Sequence, residues 1–261
     1  MKLAFFGDIC GSAGRQALRK RLNDLKSEFS IDIVLANAEN AAGGMGVTPE
    51  VADELFDMGI HVLTSGNHIW KQREIYPYLD ENPNLLRPLN YPDGVPGRGL
   101  NVYRKAGIPE VAVINLQGRV FMPPVDCPFL AAERALAEMN DGPRVRIIDF
   151  HAEATSEKVA MGWFLDGRVS AVLGTHTHIQ TADEQVLPGG TGYITDLGMT
   201  GSVNSILGMK KGPVLHRFLT GLPERFSPAR KNPVIMGALL HLDPSTGACR
   251  SIQRLRVPVE E

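Results

Sequence analysis

The chain has 261 residues, 43% of them hydrophobic, and a formal net charge of -2. A chain of this length buries a core that needs no disulfide or structural metal to hold it together. The nearly balanced charge gives no global positive field, so we expect no long nucleic-acid partner and a local site for any anionic substrate.

The cysteines and the apolar runs of the sequence predict the cellular compartment of the protein. Cys10, Cys127 and Cys249 are odd in number and widely spaced, which fits neither a disulfide framework nor a zinc motif. Asp8 interrupts the first apolar run too early for a secretory signal, and no run approaches the roughly 18 residues of a membrane span. We therefore expect a cytoplasmic protein with no membrane partner, and a homo-oligomer, by default a dimer.

In the first half of the chain, short apolar runs alternate with segments of helical periodicity. The predicted strands are KLAFFGD, DIVLANAEN and HVLTSGNH. Thr48 and Pro49 supply an N-cap and a first-turn proline for a helix that Gly59 ends. Strands that alternate with helices predict βαβ units and largely parallel pairing.

The second half begins with a stretch rich in Pro, Gly and Asn. Residues 86 to 111 predict loops with one short strand over 100–103. The alternation then returns, with strands at VAVINLQG, VRIIDFHAE and SAVLGTHTH and helices near 128–139 and 156–165. Two C-terminal hairpins, DEQVLPGGTGYITDLG and GALLHLDPSTGACRSIQRLRV, predict mixed sheets. Because no linker or repeat interrupts the chain, we expect a single domain over residues 1–261.

Polar side chains stand at the carboxyl ends of five predicted strands. They are Asp8, Glu39, Asn40, Asn67, His68, His151, His176 and His178. In open α/β sheets ligands bind in the crevice outside these strand ends, so we expect the eight side chains to meet there. His176 and His178 are two residues apart and would point to the same face of a strand.

The residue types in this set favour metal binding. Carboxylate and amide oxygens together with imidazole nitrogens suit iron, manganese, zinc or cobalt. Seven of the eight residues, all except His68, are candidate ligands, which is too many for one ion and predicts two ions with one bridging carboxylate. Such a positive centre can activate water as hydroxide for attack on phosphorus. His68 is the candidate general acid for the leaving oxygen.

Other polar features have a simpler explanation. The glycine-rich loops GDICGSAGR and NAAGGMG could cradle phosphate, but tight turns are favoured. Arg15 and Arg119 could bind phosphate, and solvent exposure is favoured for both. Cys10 could be a thiolate ligand, and a buried packing residue is favoured. Three histidines that fit no strand end are predicted to be structural: His61, His216 and His241.

The motifs GD, NAEN, SGNH, DFHAE and GTHTH, in that order, resemble those of the calcineurin-like metallophosphoesterases. The longer motifs GDICGSAGR, GNHIW and GTHTHIQTADE are similar to the bacterial YmdB-type branch, whose members are described as cyclic-nucleotide phosphodiesterases. The resemblance implies an α/β fold, a four-layered α-β-β-α sandwich with two mixed central sheets. It also implies a dinuclear site, commonly of iron or manganese.

The resemblance assigns a role to each site residue. One ion would be held by Asp8, Glu39, Asn40 and His178, and the other by Glu39, Asn67, His151 and His176, with His68 as proton donor. The chain departs from the superfamily at three positions: Cys10 replaces a histidine, Glu39 replaces the bridging aspartate and Ile69 replaces a frequent acidic residue. We therefore expect Asn40 to fill the ligand position that the replaced histidine leaves open. The usual partner of His68 is expected to be missing or to come from elsewhere.

The sequence thus predicts a dinuclear-metal phosphodiesterase that hydrolyses a small phosphate ester. The choice of a cyclic nucleotide, 2',3'-cyclic or 3',5'-cyclic, follows from the resemblance alone. Two alternatives stay open: a phosphomonoesterase or nuclease, and a regulatory protein that binds a nucleotide or phosphate without turnover. The retained His68 argues against the regulatory protein.

Overall fold

The computed structural model describes residues 1–140 and 142–260. The domain expected over residues 1–261 therefore includes Asp141 and Glu261, which lie outside the described residues. The strands are β1 Lys2–Phe6, β2 Asp8–Ile9, β3 Ile33–Asn37, β4 Val62–Thr64, β5 Leu100–Lys105, β6 Ile108–Gln117, β7 Val145–His151, β8 Ala171–Thr175, β9 Gln185–Val186, β10 Gly192–Ile194, β11 Met199–Ser202, β12 Pro233–Leu242 and β13 Cys249–Pro258. The helices are α1 Gly11–Phe29, α2 Pro49–Asp57, α3 Ile75–Glu81, α4 Pro128–Met139, α5 Thr155–Leu165 and α6 Lys211–Thr220, with a 3-10 turn at Ile69–Lys71.

The strands form two mixed sheets. In the first, β1, β3 and β4 pair in parallel, β12 runs antiparallel beside β1, and β13 pairs with β12. In the second, β6, β7, β8 and β10 are parallel, and β5 and β9 form antiparallel edges. Parallel pairing brings the carboxyl ends of successive strands to one edge of each sheet.

Successive side chains along each strand point to opposite faces of its sheet, and this alternation defines the layers. On β1, Leu3 and Phe5 enter the core between the two sheets, whereas Ala4 and Phe6 pack under α1 and α2. On the outer face of the second sheet, Ile114 and Phe150 pack with residues of α4 and α5. The order of layers is therefore helix, sheet, sheet, helix, which confirms the predicted sandwich.

Most predicted elements are present, including both hairpins and the helix that Thr48 caps. The stretch expected to be loops up to residue 111 was partly wrong, because β5 continues to Lys105 and β6 already begins at Ile108. The outer residues of this hairpin are polar and exposed, so they gave no apolar alternation. Asp8 was expected at the end of β1 but lies two residues beyond Phe6, in the separate strand β2.

Three elements were not predicted. The helix α3 contains Pro77, a residue type that disfavours a helix prediction. Pro77 stands in the first turn of α3, where a backbone N–H has no partner inside the helix, so its missing N–H costs no hydrogen bond. The apolar residues of α6 do recur at helical spacing, as Val214, Leu215, Phe218 and Leu219, but only Val214 among them is buried. No element was predicted for the segment that forms the short strand β11, which contains Gly201.

The expectations about cysteines and membrane spans can be compared with the structure. All three cysteines, each within the described ranges, are free thiols. Among the helices of residues 1–140 and 142–260, none combines the length and the apolar character needed to cross a bilayer.

The core between the sheets gives a stability prediction. Leu35→Ala removes a fully buried side chain from this core and should lower the free energy of unfolding by about 2 to 5 kcal/mol. The matched control is Leu219→Ala, because Leu219 is 84% exposed and its loss should cost about 0.5 kcal/mol or less. Urea denaturation of both variants measures the difference, and equal costs would contradict the assigned core.

Candidate functional site

All eight side chains predicted from strand ends lie in one contiguous group, which we call the strand-end cluster. The first sheet supplies Asp8, Glu39, Asn40, Asn67 and His68, and the second supplies His151, His176 and His178. Each residue either stands in the last position of a strand or follows a strand by a few residues, except Asp8 in β2. The parallel strands of both sheets therefore direct their carboxyl ends to the same place.

Glu39 lies at the centre of the cluster and is 1% exposed. Its Oε2 is 3.1 Å from His151 Nε2 and accepts a hydrogen bond of 3.2 Å from the His68 backbone N–H. Its Oε1 accepts from Asn40 Nδ2 at 3.1 Å and lies 3.3 Å from His68 Nδ1. One carboxylate thus contacts residues from both sheets, as a bridging ligand must.

The histidine His151 has an unusual number of polar neighbours around one nitrogen. Its Nε2 is 3.2 Å from Asn67 Oδ1, 3.0 Å from His176 Nδ1 and 3.1 Å from Glu39 Oε2. Ligand atoms of Glu39, His151 and His176 all lie within 4.8 Å of one another. Donor atoms of three kinds that converge in this way suit a transition-metal ion.

Asp8 faces the cluster from the first sheet. Its Oδ2 accepts from the His176 backbone N–H at 3.1 Å. Its Oδ1 is buried, has no hydrogen-bond partner among the described residues, and lies 3.9 Å from His178 Nε2. A buried carboxylate oxygen without a donor is costly unless a cation accompanies it. This orphaned oxygen is a second feature that fits a metal site.

The imidazole rings of two histidines are held so that Nε2 faces the cluster. His178 Nδ1 is 3.1 Å from the Leu207 carbonyl, which can only accept. His151 Nδ1 is 2.8 Å from Thr175 Oγ1, and that hydroxyl donates to Asp149 at 2.7 Å. Both Nδ1 atoms must therefore be donors, so each Nε2 has a lone pair for the site when its ring is neutral.

The charges of the cluster also fit a cation. Burial raises the pKa of Asp8, against the opposing effect of His178 and His151. Burial would raise the pKa of Glu39 too, but charge and hydrogen bonds from His151 and His68 lower it well below its usual value. Burial would lower the pKa of His151, yet the Glu39 charge raises it to about 9. The carboxylates thus attract positive charge into a buried site.

The backbone leaves no room for a side chain beside Glu39. A Cβ at Gly66 would lie 2.1 Å from His151 Cδ2 and 2.3 Å from Glu39 Oε2. Only glycine can therefore occupy this position of the SGNH turn while Asn67 and His68 keep their places. The residue types, the orphaned oxygen of Asp8 and this close approach all fit a metal centre.

Sequence reasoning missed the buried groups that support the cluster. Asp149 accepts from Asn37 at 2.9 Å, Thr64 at 2.5 Å and Thr175 at 2.7 Å, and so connects β3, β4, β7 and β8. Burial raises its pKa to about 6. A charged residue inside the apolar run VRIIDF was the available signal, because a buried carboxylate requires partners.

A buried ion pair supports the turn that carries His176 and His178. Lys158 Nζ donates to Asp196 Oδ2 at 2.6 Å, and both side chains are almost completely buried. The same oxygen accepts from the Thr177 backbone N–H at 3.0 Å. On the outer side, Glu153 Oε2 lies 3.1 Å from His176 Nε2. The motif DFHAE contains Glu153, but nothing in the motif indicates which residue Glu153 contacts.

The reason given for pairing His176 with His178 was wrong. The strand β8 ends at Thr175, and the two histidines lie in a turn with φ of 104° and 66°. They approach different neighbours, namely His151 and Asn40. Positive φ at two non-glycine residues is a strained arrangement that the surrounding contacts must maintain.

The remaining polar features mostly lie outside the cluster. Cys10 is buried, and burial, followed by the Asp8 charge, raises its pKa to about 12, which favours the packing role. Arg119 is exposed as expected. Arg15 was wrongly expected in solvent, because its Nε pairs with Glu54 Oε2 at 2.9 Å.

The three histidines predicted to be structural lie away from the cluster. His61 Nδ1 accepts a hydrogen bond from the Val34 backbone N–H, His216 pairs with Glu224, and His241 is exposed on β12.

Comparison with known proteins finds relatives that match nearly the whole chain. A 2',3'-cyclic-nucleotide 2'-phosphodiesterase of Bacillus subtilis (strain 168) is 46% identical over 98% of this chain and 97% of its own length. A phosphatase structure from Mycoplasma pneumoniae superposes with a TM-score of 0.93 at 31% identity and covers 99% of this chain and 93% of its own. A hypothetical protein of Thermus thermophilus gives a TM-score of 0.92 at 39% identity, with 99% of both chains covered.

A family model also covers nearly the whole chain. The model described as YmdB-like protein matches residues 4–255, which include every residue of the strand-end cluster. Because the match extends from β1 to β13, it covers both sheets as well as the site. The chain belongs to the YmdB-like protein family.

Proposed function

We propose that this chain is a cytoplasmic, metal-dependent phosphodiesterase that hydrolyses 2',3'-cyclic nucleotides. The observation that carries the proposal is the gathering of two buried carboxylates, two amides and three histidines around Glu39. The name of the Bacillus subtilis relative supports the substrate class. A 3',5'-cyclic nucleotide remains the second substrate to test.

We assign the seven candidate ligands to two ions, iron or manganese, that share Glu39. Asp8, Asn40 and His178 would complete one set, and Asn67, His151 and His176 would complete the other. When bound, such ions polarise water and the phosphate oxygens, which favours attack on phosphorus. Two divalent charges against two ligand carboxylates would leave the centre positive and attractive to an anionic ester.

His68 is suited to give a proton to the leaving oxygen. Its Nδ1 lies 2.9 Å from Asn40 Oδ1, an acceptor, so Nδ1 carries a hydrogen. Glu39 Oε1 is 3.3 Å from the same nitrogen and stands beside the ring as a negative charge. These two residues replace the acidic partner that Ile69 does not supply. With Nδ1 held, and the side chain 25% exposed, Nε2 can protonate the ribose oxygen as the cyclic ester opens.

The ligand assignment predicts metal content. Wild-type protein purified without chelator should contain two ions per chain by elemental analysis, and Asn67→Ala or His178→Ala should contain fewer because each removes one ligand. His241→Ala is the matched control, since His241 lies on β12 away from the cluster and should keep both ions. Full occupancy in both ligand variants would refute the assignment.

The proton-donor role predicts a separation between metal content and turnover. His68→Ala should keep its metal and lose roughly 100-fold or more in kcat, because the leaving oxygen then departs without a positioned acid. A p-nitrophenyl ester, whose leaving group needs no proton, should be affected much less. An unchanged kcat on the cyclic nucleotide would remove His68 from the mechanism.

A substrate panel tests the proposed function against its alternatives. We expect kcat/KM for 2',3'-cyclic nucleotides to exceed the values for 3',5'-cyclic nucleotides, phosphomonoesters and oligonucleotides. A preference for monoesters or oligonucleotides would favour the phosphatase or nuclease instead. Tight binding of a nucleotide without turnover by fully metallated protein would favour the regulatory protein.

A further inference from the structure

A cleft of about 390 Å³ opens directly beside the strand-end cluster. His178, whose Nε2 lies 3.0 Å from Asn40 Nδ2, forms part of its wall. Larger clefts of about 740 to 870 Å³ occur elsewhere, but none of their lining residues within the described ranges belongs to the cluster. A group in the smaller cleft would therefore remain in contact with the site that holds the phosphate.

Apolar and polar side chains share the walls of this cleft, and the polar ones include Arg254 and Arg256. Met199 and Met236 supply thioether side chains that are almost completely buried, and Val203 and Ile179 stand at the exposed edge. Methionine sulfur makes favourable contacts with aromatic rings, and small-ligand sites commonly have apolar walls and volumes of roughly 300 to 1,000 Å³. The chemistry and size suit a flat aromatic ring such as a nucleobase.

Gln180 places a hydrogen-bond acceptor in the same wall. Its Nε2 donates to the carbonyls of Leu197 at 3.2 Å, Gly237 at 3.0 Å and Leu255 at 3.0 Å. Three acceptors fix which end of the amide is nitrogen. The Oε1 atom accepts none of the side-chain hydrogen bonds found among the described residues, so it is available to a ligand in the cleft that Gln180 lines. An acceptor there matches an exocyclic amine, as in adenine or cytosine.

We propose that this cleft binds the nucleobase of the substrate, with a preference for a base that carries an exocyclic amine. The inference rests on the proposed function, because it names the part of a cyclic nucleotide that the strand-end cluster does not contact. One ribose ring separates the base from the phosphate, and His178 belongs to both the cleft and the cluster. The cleft is therefore a specificity site and holds no reacting atom.

Filling the cleft tests its role. Val203→Trp places a large ring at its edge and should lower kcat/KM for cytidine 2',3'-cyclic phosphate by roughly tenfold or more. The methyl riboside 2,3-cyclic phosphate, which has no base, should react as it does with the wild type. Val186→Trp is the matched control: Val186 is 39% exposed, Val203 is 38% exposed, and Val186 does not line the cleft. An equal effect of Val203→Trp on both substrates would overturn the proposal.

Equilibrium binding gives a readout without turnover. Calorimetry with cytidine 3'-monophosphate should show a Kd roughly tenfold or more weaker for Val203→Trp and an unchanged Kd for Val186→Trp. Circular dichroism confirms that both variants are folded. Equal affinity of the wild type and Val203→Trp would place the base outside this cleft.

The acceptor on Gln180 makes the preference measurable in the wild type. Cytidine and uridine 2',3'-cyclic phosphates differ where an amine replaces a carbonyl, so kcat/KM should favour cytidine by roughly tenfold or more. Gln180→Met should bring the two values together. Equal wild-type values would overturn the preference for an amine.

The failure of this inference can be told apart from failure of the proposed function. If metallated wild-type protein hydrolyses no cyclic nucleotide, the proposed function fails and the cleft proposal falls with it. If it hydrolyses the base-free ester as well as it hydrolyses the nucleotide, the proposed function stands and only the cleft proposal is overturned.

Discussion

The contact between Glu39 of the first sheet and His151 of the second, 3.1 Å from Oε2 to Nε2, is the point on which the rest of the structure depends. A carboxylate that is 1% exposed is stable only among donors or cations. Both sheets must therefore end their parallel strands at the same edge, with Gly66 leaving the space between them. The sandwich brings the donors together, and the donors make the buried carboxylate tolerable.

Two of the positions at which this chain departs from the wider superfamily, Cys10 and Ile69, are close in sequence to residues of the strand-end cluster. Cys10, in place of a histidine, is buried at the start of α1, and Asn40 approaches His178 instead. Asn40 also contacts His68, whose Nδ1 is 2.9 Å from Asn40 Oδ1, so the same side chain lies beside both His178 and His68. The absence of an acidic residue at Ile69 is thus compatible with a positioned acid.

The support beneath the cluster is itself polar and buried. Asp149 accepts three hydrogen bonds from side chains. Asp196, which pairs with Lys158, accepts a hydrogen bond from the Thr177 backbone N–H in the turn. Such groups cost free energy when they are taken from water, and an apolar core would be at least as stable. Their contribution is orientation: each fixes a ring or a turn that faces the site.

The sequence by itself determined most of the elements and which candidate side chains meet at the strand ends, because apolar periodicity records which face of a strand or helix is buried and strand ends mark the edge of a sheet. It also supplied the ligand types and, through the motifs, the family. Only the tertiary structure decided how His176 and His178 turn, which donors Asp149 collects, and that a cleft with Met199, Met236 and Gln180 opens beside His178. These features depend on contacts between residues distant in sequence, and local patterns carry no information about such partners.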